Sequence, residues 1–247
     1  MDQNEFEAAT ESKSAERQCC WWIYHSARQI EIFNAEGLVK QVLPYWITNP
    51  VKCSDTLEKG VKIKELHRFD RVLLKNLKRM GIKRLFPIQD SVIPYILDFY
   101  EGKGPNYVGQ PRDICISAPT GSGKTLSYAL PILQLLSTCK TKLIRCVVIL
   151  PVRDLAKQVA ETFRFLAENT SLRIALLAGE ESFTSEQENI FKSQGDHVLL
   201  PDIIVCTPGR LVDHIYNTSN FCLEHVRFLV IDEADRIIKE EKQDWFN

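Results

Sequence analysis

The residues with the clearest chemical potential in this chain form a loop rich in glycine and hydroxyl groups. The loop lies between an apolar run at 113–116 and an apolar stretch at 126–136, so the pattern predicts a turn between a buried strand and a helix. Its glycines let backbone N–H groups wrap around phosphate oxygens, Lys124 supplies positive charge, and Thr125 offers a hydroxyl to Mg²⁺. We therefore predict a phosphate-binding loop formed by Ala118, Pro119, Thr120, Gly121, Ser122, Gly123, Lys124 and Thr125.

The alternative for this loop is a plain connection between a strand and a helix. The usual phosphate-loop pattern has glycine at the position of Ala118, which weakens the match slightly. Gly-Lys-Thr at a strand-to-helix turn is nonetheless rarely accidental, so phosphate binding is the preferred interpretation.

Two adjacent carboxylates, Asp232 and Glu233, end the last apolar run of the sequence at 228–231. An aspartate in this position can hold an Mg²⁺ ion that also meets the Thr125 hydroxyl, and the neighbouring glutamate can orient or deprotonate an attacking water. Taken alone, the pair would also fit a solvated acidic turn. Together with the phosphate loop, it predicts hydrolysis of a nucleoside triphosphate with Lys124, Asp232 and Glu233 as catalytic residues.

Strand and helix patterns alternate around these residues. The alternation predicts an α/β protein whose parallel sheet is covered by helices on both faces, with ligands at the carboxyl ends of the strands. Near the N-terminus, apolar spacing predicts helices over 63–80, ended by Gly81, and over 89–99, followed by a loop at 101–112. Further along, we predict strands at 146–150, 173–177, 203–206 and 228–231, helices at 155–167 and 209–216, and a polar amphipathic stretch at 181–191.

The composition limits the classes of function. The 247 residues are 45% hydrophobic and 26% charged, as in an ordinary globular protein. No apolar run approaches the roughly 18–20 residues of a membrane span, and the N-terminus lacks a secretory signal, so we expect an intracellular protein without a membrane partner.

The eight cysteines include no C-x-x-C pair, which favours reduced thiols. A net charge of −1 argues against nucleic-acid binding by overall charge but permits a local cleft.

Two motifs resemble those of the DEAD-box RNA helicases. Residues 232–235 read Asp-Glu-Ala-Asp, the family signature, and the phosphate loop is similar to the family's form, including its alanine. The resemblance covers residues 38–247. It implies a RecA-like P-loop NTPase fold, ATP and Mg²⁺ as cofactors, and RNA as the partner.

The resemblance also implies roles for residues outside these motifs. Residues 81–89 look like the adenine-reading motif, in which the Gln89 carboxamide donates to and accepts from the base. Segments 151–156 and 207–211 resemble the motifs that hold the RNA backbone, with an arginine and helix-start amides in each. Plain helix capping is the alternative for both segments. The implied RNA-binding residues are Pro151, Arg153, Gly179, Thr207, Pro208, Gly209 and Arg210.

The chain departs from the family pattern at several positions. In the adenine-reading motif, residues 85–86 are Leu-Phe where the family usually has Pro-Thr. In the RNA-backbone motif at 151–156, Val152 and Asp154 stand where the family commonly has Thr and Glu. At 178–179, Ala-Gly stands where the family commonly has a pair of glycines. The adenine-stacking residue is left unassigned.

The sequence Leu-Phe-Pro-Ile-Gln at 85–89 is among several features that resemble the branch working in nucleolar assembly of the large ribosomal subunit. That branch implies pre-ribosomal RNA and a nuclear or nucleolar location.

We expect three parts in the chain: an N-terminal tail and aromatic segment at 1–37, a family-specific extension at 38–112, and an incomplete RecA-like core at 113–247. The aromatic density between Trp21 and Trp46 predicts docking on the chain's own domain or on an assembly factor. The resemblance implies a Ser-Ala-Thr strand between the two motif strands, and a second RecA-like domain, neither of which follows 232–235 here. We therefore expect poor folding or an opening in the sheet, and little or no ATP hydrolysis by these residues alone.

Two alternative functions are a DNA-acting motor with the same core and an inactive fragment that binds nucleotide and a protein partner. Equal stimulation by single-stranded DNA would favour the first. Nucleotide binding without turnover, together with retained partner capture, would favour the second.

Overall fold

A computed structural model of the chain describes residues 22–23, 61–63, 67–101, 113–138, 141–194 and 197–239. The helices in these ranges are α1 (Arg71–Arg79), α2 (Pro87–Tyr100), α3 (Lys124–Ser137), α4 (Arg153–Leu166), α5 (Phe183–Ile190), α6 (Pro208–Asn217) and α7 (Ala234–Lys239). The strands are β1 (Trp22–Ile23), β2 (Ile116–Ser117), β3 (Cys146–Ile149), β4 (Ile174–Leu177), β5 (Lys192–Gln194), β6 (His197–Leu199), β7 (Ile203–Cys206) and β8 (Phe228–Ile231). Within the same ranges, no helix is both long and apolar enough to cross a membrane.

Four parallel strands form the sheet that positions the candidate site. Their order is β4-β7-β3-β8, with Cys146 of β3 opposite both Ile203 of β7 and Phe228 of β8. β3 and β7 are apolar and buried along their whole length, as expected for central parallel strands with both faces covered. The predicted parallel sheet is confirmed.

Helices cover both faces of this sheet. Successive strand residues point to opposite faces, and the buried core divides accordingly. Val148 and Val205 pack in one cluster with residues of α1, α3 and α4. Ile149 and Ile204 pack in the other with residues of α5, α6 and α7. The predicted layer arrangement is therefore confirmed as well.

The strand that leads into the phosphate loop lies outside this sheet. β2 pairs antiparallel with β1, placing Ser117 opposite Trp22. Among the described strands, only β3 is hydrogen-bonded to β8, and on that open side of the sheet Leu229 is 63% exposed and Ile231 is 40% exposed. The described part of the chain thus has the opening expected beside the carboxylate strand.

The first helix is shorter than its apolar spacing predicts. The prediction over 63–80 is wrong at 67–70, which form a turn rather than a helix, and the backbone at 61–63 pairs with the backbone at 83–85. α1 begins only at Arg71. It ends where predicted, and Gly81 follows with φ of 78°, a conformation that favours glycine.

Other differences are smaller. The first core strand is predicted at 113–116 but occupies Ile116–Ser117, and the β5–β6 hairpin has no counterpart in the sequence prediction. Of the aromatic segment between Trp21 and Trp46, only β1 is described, and the loop at 102–112 lies outside the described residues.

Candidate functional site

The residues predicted to do chemistry collect at one edge of the sheet. In a parallel sheet the carboxyl ends of the strands share one side. Arg153 follows β3, Gly179 follows β4, Arg210 follows β7 and Asp232 follows β8. The phosphate loop joins this edge through α3, because Tyr128 of α3 donates a hydrogen bond to Asp232. The structure therefore gathers the predicted residues into a phosphate-loop group and a group at the ends of β3, β4 and β7.

The phosphate loop requires glycine at two positions. Gly121 and Gly123 have φ of 80° and 83°, in the left-handed region that side chains disfavour. A Cβ on Gly123 would lie 2.2 Å from Nε2 of Gln89 and 2.8 Å from the Phe86 ring. A Cβ on Gly121 would meet no atom within 4 Å. Gly123 is thus needed both for its backbone angle and for the close approach of α2.

Two polar side chains of the loop are arranged for a ligand. Nζ of Lys124, the first residue of α3, donates to the carbonyl oxygens of Ala118 at 2.6 Å and Pro119 at 3.0 Å. These bonds hold its charge against the first two residues of the loop. Oγ of Ser122 is buried and has no hydrogen-bond partner within the described residues. A buried hydroxyl without a partner at a helix start is consistent with a bound anion.

Gln89 links α2 to the phosphate loop. Its side chain is 1% exposed, Oε1 accepts from the Phe86 N–H at 2.8 Å, and Nε2 donates to the Gly123 carbonyl at 3.0 Å. Both ends of the carboxamide are therefore engaged within the chain. The predicted pairing of Gln89 with a base stays a prediction, while its contact with the loop is a structural finding.

The two carboxylates leave β8 in a strained turn. Oδ1 of Asp232 accepts from the Glu233 N–H at 3.0 Å, and Oδ2 accepts from the Tyr128 hydroxyl at 2.9 Å. Glu233 has φ of 50°, unusual for a residue other than glycine, and its carboxylate pairs with Arg236 at 2.7 Å. Burial, reinforced by the negative charge of Asp232, raises the pKa of Tyr128 well above its usual value. The tyrosine therefore stays a neutral hydrogen-bond donor.

At the ends of β3 and β4, Arg153 lies beside Gly179. A Cβ on Gly179 would stand 3.5 Å from the Arg153 guanidinium, and the glycine has φ of 71°. Arg153 is exposed and forms no hydrogen bond or ion pair within the ranges that the structure describes. Pro151, two residues before it, is buried. The guanidinium is thus held near a strand end and available to an anion.

Arg210 is fixed by a buried network. Its Nε donates to Glu186 at 2.6 Å, and its guanidinium lies 5.0 Å from the centroid of the Phe183 ring. The same carboxylate accepts from the Gly179 N–H at 2.9 Å and contacts the His214 ring at 3.0 Å. Burial acts to raise the pKa of Glu186, but hydrogen bonds from His214, Arg210 and Gly179 outweigh it, so this pKa is lowered.

The helix starts near these arginines have no side-chain caps. Thr207 is the N-cap residue of α6, which begins with Pro208 and Gly209, and it makes no capping hydrogen bond. Val152 is the N-cap residue of α4, which likewise has no side-chain cap, although Asp154 lies in the first turn. The capping alternative for both segments is therefore not observed. The first N–H groups of both helices remain unsatisfied by side-chain caps.

Sequence reasoning missed Tyr128, Glu186 and His214. Tyr128 had a usable signal, because a residue three positions after Thr125 on a helix lies on the same face. The partners of Glu186 and His214 come from separate elements of the fold. No local pattern therefore identifies them.

Comparisons with known proteins agree with this geometry. A family model described as DEAD/DEAH box helicase matches residues 86–247. The ATP-dependent RNA helicase DDX51 of Danio rerio is 42% identical over 219 residues, which cover 85% of this chain and 33% of that protein. The probable ATP-dependent RNA helicase Dbp73D of Drosophila melanogaster is 42% identical over 84% of this chain and 31% of its own length. The chain thus spans about a third of the curated relatives that it matches.

Solved structures give the same result. A DEAD box protein from the hyperthermophile Methanococcus jannaschii is similar with a TM-score of 0.55 and 30% identity, over 72% of this chain and 43% of that chain. The DEAD-box helicase Mss116 bound to ssRNA and UDP-BeF is similar with a TM-score of 0.60 and 26% identity, over 77% of this chain and 37% of that one. The fold is that of a RecA-like helicase domain. Since the family model matches well over half of its residues, the chain belongs to the DEAD/DEAH box helicase family.

Proposed function

We propose that this chain is the N-terminal ATP-binding part of an ATP-dependent RNA helicase, an ATPase that remodels RNA. ATP lies against the loop at 118–125, with Gln89 toward the adenine. The RNA backbone lies against Pro151, Arg153, Gly179, Thr207, Pro208, Gly209 and Arg210. Contacts to sugar and phosphate make this binding independent of base sequence. The division into 1–37, 38–112 and 113–247 stays part of the proposal.

The geometry of the phosphate loop carries the proposal. Left-handed glycines, a helix that begins at Lys124 and the buried Ser122 hydroxyl without a described partner together suit phosphate oxygens. Lys124 already lies over the loop carbonyls and exchanges them for phosphate when nucleotide binds. The solved relative Mss116 was described with a nucleotide analogue and ssRNA bound, which supports both classes of ligand.

Mg²⁺ suits the residues beside the loop. Thr125 and Asp232 offer one hydroxyl and one carboxylate, partly through water. The described residues contain no group of three or more His, Cys, Asp or Glu side chains arranged for a metal ion. Magnesium is commonly held by one or two protein ligands plus substrate phosphates and water, so this sparse set fits it. In this proposal Glu233 orients the attacking water.

Different features support the proposed RNA partner and the proposed cellular location. Arg153, which has no partner within the described part of the chain, and the uncapped starts of α4 and α6 support binding of a phosphate backbone. The sequence features shared with the ribosome-assembly branch support pre-ribosomal RNA as substrate and a nucleolar location. The segment from Trp21 to Trp46 is the proposed contact for assembly factors.

Binding of a fluorescent ATP analogue to the 247-residue chain tests the nucleotide site. We expect Lys124→Ala to weaken binding in Mg²⁺ by at least about tenfold, because a charge on the phosphates is lost. Lys157→Ala is the control, since Lys157 is an exposed lysine paired with Glu180. Equal affinities for both variants would overturn the proposal. Preference for single-stranded DNA over RNA in a parallel binding assay would indicate the DNA-acting alternative.

A further inference from the structure

Tyr128 connects the two halves of the proposed catalytic site. It lies one turn after Thr125 on α3, is 7% exposed, and packs its ring 6.2 Å from that of Phe163. Its hydroxyl donates to Oδ2 of Asp232 at 2.9 Å. Thr125, one turn earlier on α3, lies on the same face of that helix. Tyr128 therefore ties the start of α3, which carries Thr125, to Asp232.

Two hydrogen bonds fix the orientation of the Asp232 carboxylate. Oδ1 of Asp232 is held by the Glu233 N–H at 3.0 Å, and Oδ2 is held by Tyr128. With a donor on each oxygen, the carboxylate cannot rotate without losing a hydrogen bond. Outer hydrogen bonds of this kind orient metal ligands in proteins.

We propose that the Tyr128 hydroxyl is a positioning group that holds the Asp232 carboxylate in one orientation, beside the start of α3 that carries Thr125, for a divalent cation bound with nucleotide phosphates. The inference rests on the proposed function and extends it to a residue that touches neither nucleotide nor metal. Its ring serves the hydrophobic core, as the contact with Phe163 indicates, while its hydroxyl serves the site. The two roles are separable by removing one oxygen atom.

The experiment compares Tyr128→Phe with the unmodified 247-residue chain. The affinity for a fluorescent ADP analogue is measured in excess EDTA and again in saturating Mg²⁺. We expect Tyr128→Phe to bind within about twofold of the unmodified chain in EDTA, because the ring and the phosphate loop are retained. The gain in affinity on adding Mg²⁺ falls by about tenfold, the lower end of the usual cost of removing an outer partner of a metal ligand.

Tyr100→Phe is the matched control. Its hydroxyl donates to the Arg227 carbonyl at 3.1 Å, away from the phosphate loop, so we expect an unchanged Mg²⁺ gain. Thermal unfolding of all three proteins verifies that each is folded. An Mg²⁺ gain in Tyr128→Phe equal to that of the unmodified chain overturns the inference, as does an equal loss of affinity in EDTA and in Mg²⁺. If the unmodified chain itself gains nothing from Mg²⁺, the proposed metal site fails and this inference fails with it.

Discussion

The carboxylate of Glu186 accepts a hydrogen bond from Nε of Arg210 at 2.6 Å. Its other oxygen accepts from the Gly179 N–H at 2.9 Å, and the carboxylate also contacts His214. Glu186 belongs to α5, Arg210 and His214 to α6, and Gly179 to the turn after β4. One buried acid therefore sets the relative positions of two residues proposed to hold RNA. The guanidinium of Arg210 is oriented before any phosphate arrives, which lowers the entropy cost of binding.

Removing the charge of Glu186 tests how much this network stabilises the fold. Glu186→Gln keeps the size of the side chain but weakens the bonds to Arg210 and His214. We expect the free energy of unfolding in urea to fall by about 1.5–3 kcal/mol, the usual range for a hydrogen bond to a charged group. Glu188→Gln, an exposed acid on the same helix, should change it by less than about 0.5 kcal/mol. Equal effects of the two variants would contradict the prediction.

The pH dependence of this stabilisation has a defined sign. The pKa of Glu186 in the folded chain is lowered from its ordinary value of 4.5, so the ionised form is favoured by folding. Its contribution is present above the unfolded pKa and is lost as the pH falls through the folded pKa. We expect the difference in free energy of unfolding between the unmodified chain and Glu186→Gln to be constant near neutral pH and to shrink below about pH 4.5. A difference that grows on acidification would contradict this assignment.

Arg153 is the clearest test of RNA binding. It is exposed, has no partner within the described residues and lies beside Gly179. We expect Arg153→Ala to weaken binding of a fluorescent single-stranded RNA and to reduce the slope of log affinity against log salt by about 0.7, the value for one phosphate contact on a single strand. The control is Arg164→Ala, an exposed arginine near the other end of α4. An unchanged slope in Arg153→Ala would remove this residue from the proposed RNA surface.

The two loop glycines allow backbone strain to be separated from steric overlap. Both have φ near 80°, but only at Gly123 would a Cβ collide, with Gln89 and Phe86. We expect Gly121→Ala to cost about 1–2 kcal/mol of unfolding free energy from strain alone. Gly123→Ala should cost about 1–3 kcal/mol more, because α2 must move, and should weaken nucleotide binding further. Equal unfolding free energies for the two variants would show that Gln89 does not press on the loop.

Sequence patterns located the parallel sheet because each core strand is a continuous apolar run. β3 and β7 needed no long-range information, and helix α4 followed from its own amphipathic spacing. The first helix was overestimated because apolar spacing at 63–69 resembles a helix, whereas the pairing of 61–63 with 83–85 depends on tertiary contact. The hydrophobic periodicity of a segment contains no information about such long-range pairing.

In the candidate site, too, some features follow from local sequence patterns and others depend on tertiary contacts. The phosphate loop and the Asp232–Glu233 pair were identified from local motifs, and the structure brings them together at the predicted edge. The network around Glu186 was invisible, since its partners lie on other elements. The engagement of Gln89 with Gly123 was also unpredicted, because a single residue type does not reveal which carbonyl it meets. Local motifs thus identify the groups proposed to contact ligand, and tertiary structure reveals the groups that orient them.

Asp202 is the strongest candidate for a purely structural charge. It is fully buried just before β7, where its carboxylate pairs with the buried Arg145 guanidinium and accepts from the Arg173 N–H at 2.8 Å. Because Asp202→Asn leaves Arg145 charged and poorly compensated, we expect the free energy of unfolding to fall by about 3–5 kcal/mol. Glu168→Gln, which breaks the exposed pair with Arg79, should cost less than about 1 kcal/mol. Asp202 precedes its strand whereas the candidate site follows the strands, so folded Asp202→Asn should bind nucleotide within about twofold of the unmodified chain, as expected for independent, distant sites. A loss below about 1 kcal/mol in urea unfolding would show that Arg145 does not depend on this carboxylate.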